Sequence, residues 1–322
     1  MAMGIHSQHL RRNHYVKRAI LFLVLYYLLG VHLIVSYYSI CGRKIQFSNQ
    51  LHGLEFWKQP GAEEDHAPAI FSFSRKLISR STGWVAGENR RVELWEAMGG
   101  YILQVSGSRN FHISTGGLSI LLGEGSPKLT PIEQEVVLGP ALTMALALGG
   151  KWCLHASAAS FRDQGMVFLG ESGFGKSTLS AYLSDMGKQN WQRVADDILP
   201  VTLEEGGITG WPHFPQLKLP PALQPYFSLP DKVLIDHIYL LSPDNSAATP
   251  TLKPLSKGET ARVFLSNTAG SRLFPPSLLA EHLAFCAKAA EQVKGFRLSY
   301  PHQRDILPLV KDILEQNFKQ NK

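Results

Sequence analysis

The eight residues Gly170 to Ser177, GESGFGKS, fit the pattern GxxxxGKS and constrain the fold more than any other feature of the chain. A loop of this kind needs a buried strand before it and a helix after it. Met166 to Leu169 supply the apolar run of the strand. Leu179, Leu183 and Met186 recur at helical spacing, and Gly187 stands where a C-terminal cap belongs. Gly170, Gly173 and Gly175 let the backbone curl so that N–H groups point inward at negative charge. The helix start adds unsatisfied N–H groups and the positive end of a dipole. Lys176 then reaches the β and γ phosphates of a nucleotide, and Ser177 offers its hydroxyl to Mg²⁺. Glu171, Ser172, Phe174 and Thr178 complete the segment expected to contact it. GTPases, ATPases and small kinases share this loop, so it predicts a bound nucleotide and leaves the reaction open.

The length of 322 residues and a hydrophobic content of 44% suit one large or two ordinary domains with sizeable cores. The net charge of +6 is confined to one end: Arg11, Arg12, Lys17, Arg18, Arg43 and Lys44 all precede the first acidic residue, Glu55. The rest is neutral, which argues against nucleic acid as a partner. The three cysteines, Cys41, Cys153 and Cys286, are far apart and odd in number, so neither a disulfide framework nor a CxxC metal site is expected, and a cytoplasmic location fits. Between Arg18 and Arg43 no residue carries a formal charge, and Ala19 to Val35 approaches the length of a membrane span. His32, Gly30, Ser36 and Ser39 weaken a span. Three readings stay open for residues 1–37: an anchor, an interfacial helix with membrane contact, or a start placed too far upstream.

Residues 38–128 read as a small antiparallel β region. Ile45 and Phe47, Ile70 and Phe71, Val92 and Leu94, Tyr101 to Val105, Phe111 and Ile113, and Leu118 to Leu122 are mostly period-two runs, with turns at Gly99-Gly100 and Gly116-Gly117. A helix begins at Thr130, with Pro131 in its first turn and Glu133 closing a capping box, and runs to Gly149-Gly150 with a kink at Pro140. The nucleotide-binding domain occupies 129–322. In it Gln192 to Asp197 and Val233 to Leu241 read as strands. Leu279, Leu283, Cys286, Ala290 and Val293 form one helical stripe, and Ile306, Leu309, Val310, Ile313 and Leu314 another.

Phosphoryl transfer needs charge neutralisation, a metal, and a group that takes the proton of the acceptor hydroxyl. Asp196 and Asp197 come 19 and 20 residues after Ser177, on a strand expected to lie beside the loop strand. Neighbours on a strand face opposite ways, so one carboxylate is expected to serve the metal and the other the hydroxyl. His155, in LHASAAS, is expected on a strand hairpin-paired with the loop strand through Arg162 to Gly165, which brings it near the phosphates. A packed, purely structural histidine is the equal alternative. His213 and Lys218 in WPHFPQLKLP, and Arg262 and Arg272, are further candidates for holding an anion, each with a solvated role as the alternative.

In this order and spacing LHASAAS, FLGESGFGKSTLS and VADD resemble the catalytic core of the HPr kinase/phosphorylase superfamily, and more closely its shorter relatives beside ribosomal-peptide gene clusters. Some of those phosphorylate a serine of a lasso-peptide precursor. The resemblance extends loosely to FRLSYPHQRDILPLV, Phe296 to Val310. It implies an α/β P-loop kinase domain of the HPr kinase and phosphoenolpyruvate carboxykinase type, with ATP and Mg²⁺ as cofactors. His155, Lys176, Asp196 and Asp197 are then catalytic, with Asp197 accepting the serine proton, and Ser177 and Asp196 lie at the metal. The partner implied is a peptide or protein with an acceptor serine or threonine, and a homo-oligomer is left open. The chain departs from the family in three places: GKST replaces GKSE, WPHFPQLKLP replaces the segment with a second magnesium-ligating glutamate, and the β region is unlike the family's N-terminal domain. Two rivals stand beside the kinase: a carboxykinase-like phosphotransferase acting on a small acid, which needs a cluster of arginines, and an ATP-sensing regulatory module.

Overall fold

The period-two runs after residue 36 build one sheet, and the strands around the glycine-rich loop build another. The computed structural model describes residues 36–49, 51, 57–59, 75–123, 125–126, 128–186, 190–215 and 230–320. The stretch Ala19 to Val35, Ile70, Phe71, Gly187 and Lys218 lie outside the described residues. Among the described residues no helix is long and apolar enough to cross a membrane.

The first sheet holds β1 (Ser36–Ile40), β2 (Arg43–Phe47), β3 (Arg75–Val85), β4 (Glu88–Ala97), β5 (Gly100–Val105), β6 (Phe111–Ser114) and β7 (Ser119–Leu122). Their spatial order is β1-β2-β7-β6-β5-β4-β3, antiparallel except where β2 meets β7. Alternation buries Ile45 and Phe47, Val92 and Leu94, and Phe111 and Ile113 on one side. The β6–β7 turn lies so close to the following helix that a Cβ at Gly117, where φ is +65°, would fall 2.0 Å from the Ala145 carbonyl oxygen. Only glycine fits there.

That helix starts with α1 (Pro131–Val136), passes through a π turn at Val137–Ala141 and ends as α2 (Leu142–Ala147). Pro140 has no N–H to give the preceding turn, and Gly139 absorbs the break with φ −97° and ψ −105°. At the start Thr130 Oγ1 accepts the Glu133 N–H, and the Glu133 carboxylate accepts the Thr130 N–H at 2.8 Å. The same carboxylate takes a fork of two bonds from Arg109, at 2.6 and 3.0 Å, which ties the helix to the first sheet. Glu133 is 3% exposed. The Arg109 bonds hold its pKa down to about 2 against an ordinary 4.5. A lowered folded pKa stabilises the fold above the ordinary value, and the contribution fades as pH falls through the folded one. Glu133→Gln is therefore expected to lower the unfolding free energy by about 3 kcal/mol at neutral pH. Urea titrations across pH check this: the gap between parent and variant should close between about pH 4.5 and 2, and a pH-independent gap would refute the assignment.

The second sheet contains β8 (Trp152–His155), β9 (Ser157–Phe161), β10 (Gln164–Leu169), β11 (Trp191–Ala195), β12 (Ile198–Glu204), β13 (Gly207–Gly210), β14 (Val233–Pro243), β15 (Thr251–Pro254) and β16 (Lys294–Tyr300). β10 and β16 flank β14 in parallel, and the other pairs are antiparallel. Helices α3 (Lys176–Met186), α4 (Lys257–Asn267), α5 (Pro276–Gln292) and α6 (Leu307–Gln320) pack on it, giving a mixed α/β architecture. One cluster of buried side chains runs from Tyr38 and Phe111 through Val137 and Leu142 to Leu154, Ile238 and Phe285. The apolar core therefore has no break at residue 128. A second cluster under α3 and α6 joins Leu179, Leu183, Tyr239, Leu298 and Leu314.

Three helical stripes differ from expectation. Met186 is exposed at the end of α3. On α5 Cys286 and Ala290 of the expected stripe, and Val293 just beyond the helix, are buried together with Leu278, His282, Phe285 and Ala289, whereas Leu279 and Leu283 face solvent. The reason is His282, a core residue that bonds Thr268 Oγ1 at 2.8 Å and lies 4.9 Å from the Trp152 ring. Leaving a polar residue out of the stripe rotates the apparent face by one position. On α6 Leu307, Val310, Leu314 and Phe318 are buried and Leu309 is exposed.

Candidate active site

The glycine-rich loop leaves the end of β10 and becomes the first turn of α3. Gly173 and Gly175 have φ of +89° and +88°, the left-handed region that glycine adopts freely. Three side-chain contacts fix this shape. Lys176, 6% exposed, donates to the carbonyls of Gly170 at 2.7 Å and Glu171 at 3.0 Å. The Gly170 N–H donates to Asn267 Oδ1 at 3.1 Å, and Asn267 Nδ2 donates to Val263 O at 2.8 Å, so the end of α4 braces the entry of the loop. The Tyr300 hydroxyl donates to Phe174 O at 2.7 Å. Burial pushes the Tyr300 phenol up to about 12, which keeps it a donor at neutral pH. Ser177 and Thr178 are exposed on the first turn of α3.

The carboxylates enter through a fault in the sheet. Residues 152–161 and 191–204 pair twice, β9 with β11 and β8 with β12, and the ladder breaks between the two stretches. Ala156 lies in the gap on one side, Asp196 and Asp197 on the other. The gap is stitched by the Ala156 N–H donating to Asp197 O at 3.1 Å and Ser157 Oγ donating to Asp196 O at 2.8 Å. Ser177 Oγ lies 3.5 Å from Asp196 O, so the fault abuts the start of α3. The two carboxylates diverge. Asp197 Oδ1 lies 3.4 Å from His155 Nε2, with 13% and 41% of the side chains exposed. Asp196 is 7% exposed and turned onto the Arg193 guanidinium.

This geometry corrects two expectations. The strand before the aspartates is not beside the loop strand, because β9 separates β11 from β10. The hairpin through Arg162 and Asp163 joins β9 to β10, and His155 stands on β8, which pairs with β12 after the bend at Ala156. The Asp196 carboxylate, for which a place at the metal is expected, pairs with the Arg193 guanidinium, as a buried charge requires a partner. Among the described residues no three His, Cys, Asp or Glu side chains group as a metal site.

His155, Asp197, Gly170, Glu171 and Ser172 nevertheless line one open cleft of about 1550 Å³. Gly173, Gly175, Lys176, Ser177, Thr178 and Asp196 lie outside its lining. Arg272 and Arg297 also face this cleft, whereas Arg262 opens on a smaller hollow. His213 sits apart: its carbonyl accepts the Trp57 indole N–H at 2.8 Å and its ring lies 3.7 Å from Asp231. Asn267, Tyr300 and Arg297 escaped the sequence reading. Arg297 and Tyr300 had a signal, their place in the FRLSYPHQRDILPLV segment.

The loop fits a phosphate chain on its own geometry. A Cβ added at Gly173 would meet nothing within 4 Å, and a buried ammonium and a helix start converge behind it. Ser177, exposed on the first turn of α3, is the residue that would hold a divalent cation bound with such a chain.

No protein-family model matches the chain, and no curated protein matches it. Among solved structures the HPr(Ser) kinase/phosphatase from Coxiella burnetii is similar at 15% identity and a TM-score of 0.33, over 52% of this chain and 97% of that one. A likeness this slight does not bear on chemistry.

Proposed function

We propose that the chain transfers the γ-phosphoryl group of ATP to a serine or threonine hydroxyl of a peptide or protein. One observation carries the reading: the His155–Asp197 pair and the first residues of the glycine-rich loop line the same cleft. The loop N–H groups and the first turn of α3 bind the phosphates, and Lys176 neutralises them. Mg²⁺ bound with ATP would neutralise developing charge, and Ser177 is the residue that would hold it. Asp197 accepts the proton of the acceptor hydroxyl, and His155 orients the carboxylate. The acceptor implied by the motif resemblance is a serine of a small precursor peptide.

The carboxykinase-like rival gains one point, since Arg272 and Arg297 supply two cations to the cleft that a small acid would need. Incubation with γ-labelled ATP and either serine peptides or oxaloacetate decides between them. The proposal expects phosphoserine in the peptide arm. Label transfer to a product of oxaloacetate alone, or nucleotide binding without any product, would replace it with a rival.

A further inference from the structure

We infer that the acceptor docks as an extended, acidic peptide added to the outer edge of β3, which feeds it into the cleft; this rests on the kinase reading above. β3 is the terminal strand of the first sheet, 11 residues long, and no described strand pairs with its outer side. Arg75, Lys76, Arg80, Thr82 and Trp84 are exposed along it, and of its residues only Val85 is buried. An open edge of that length is a template for another chain.

The edge also leads somewhere. Alternate residues of a strand face opposite sides, so a cleft against a sheet face touches every second residue. Here the consecutive residues Ser81 to Val85 all line the cleft that holds His155 and Asp197, so the strand presents its rim to it. The hairpin joining β3 to β4 has two residues, Ala86 and Gly87, with φ of +49° and +76°. In such a turn the flanking pair, Val85 and Glu88, exchanges hydrogen bonds. By alternation Thr82 and Trp84 point their N–H and C=O groups away from β4. An independent bond agrees: Arg91, opposite Thr82, spends its carbonyl on Ser106 N at 3.0 Å, on the β5 side.

Charge selects the occupant. β3 carries Arg75, Lys76 and Arg80 and no carboxylate. Arg80 is engaged by Glu93, whereas Arg75 and Lys76 are exposed. Arg272, exposed on the turn that packs against β3, adds a cation where the edge enters the cleft. The carboxylates there are Glu135 and Glu171 beside Asp197. A peptide with its hydroxyl opposite Ser81 to Val85 thus has its acidic residues opposite Arg75 and Lys76, roughly 20 Å away at the rise of a strand. In a two-fold pairing of β3 with a second copy, Arg75 and Lys76 would lie opposite the uncharged Val85 and Trp84 and gain no carboxylate.

The test uses fluorescent peptides of about 12 residues, the length of an ordinary strand pair, with one central serine among alternating valine and threonine. One end carries glutamates, lysines or neutral residues. Anisotropy with the full chain should rank glutamate over lysine peptides by about tenfold in affinity. Thr82→Pro removes an outward N–H without touching the β4 ladder and should weaken the glutamate peptide by about tenfold, while Thr82→Ala, which keeps that N–H, restores it. Arg75→Glu with Lys76→Glu should erase the preference for acid. Equal affinity for all peptides, or indifference to Thr82→Pro in a protein that melts like the parent, overturns the dock. A concentration-dependent dimer abolished by Thr82→Pro would name a second copy as the occupant and overturn it too. Binding is read without turnover, so peptides that bind at β3 and gain no phosphate would sustain the dock and sink the transfer chemistry.

Discussion

Asp197→Asn is expected to lower phosphoryl transfer about a thousandfold while nucleotide affinity changes by less than about twofold. The amide keeps the shape of the carboxylate and still fits opposite His155 Nε2, 3.4 Å away, but it cannot take a proton. The nucleotide is held elsewhere, by the loop backbone, Lys176 and the first turn of α3. Those groups bond one another, Asn267 and Tyr300. Transfer is followed with labelled ATP and peptide, and affinity with a fluorescent ATP analogue. Parallel loss of both would show that the carboxylate supports the fault in the sheet or a metal, and the role of proton acceptor would be withdrawn. His155→Gln separates the partners further: it removes the imidazole and keeps the carboxylate.

Signals confined to a few neighbouring residues were legible in the chain. The capping box at Thr130 and Glu133, the break at Pro140 and the strand-loop-helix context of Gly170 to Ser177 depend on bonds within one or two turns. Pairings across the sheet were not. Nothing in LHASAAS marks Ala156 as the point where the chain leaves β12 for β11, because the bend is dictated by partners some 40 residues away. The helix faces failed for a related reason. His282 is core because Thr268 and Trp152 receive it, and a stripe built from apolar letters alone passes it over. Asn267 braces Gly170 across 97 positions, so its part in the loop exists only in three dimensions. Arg11, Arg12, Lys17, Arg18 and Lys218 lie outside the described residues, whereas Arg43 and Lys44 fall in β2.

Lys176→Ala should behave differently from Asp197→Asn, lowering both nucleotide affinity and transfer, with transfer down by about a thousandfold. The ammonium is 6% exposed and spends two of its three donors on the carbonyls of Gly170 and Glu171. It is therefore both the charge offered to phosphates and the pin that folds the loop over itself. Removing it loses the charge and leaves two inward carbonyls without their donor, which repel phosphate oxygens. Lys176→Arg is not a rescue: a planar guanidinium cannot direct its donors at two carbonyls one residue apart and at a phosphate beyond them. Lys176→Met separates the loss of volume from the loss of pin and charge, since it fills the space and carries neither. Affinity measured for ATP and for ADP then locates the effect. If Lys176 serves the terminal phosphates, ATP should lose more affinity than ADP in all three variants. Equal losses would mean that the side chain only shapes the loop, and the neutralising charge at the transferring group would have to come from Arg272 or Arg297 across the cleft.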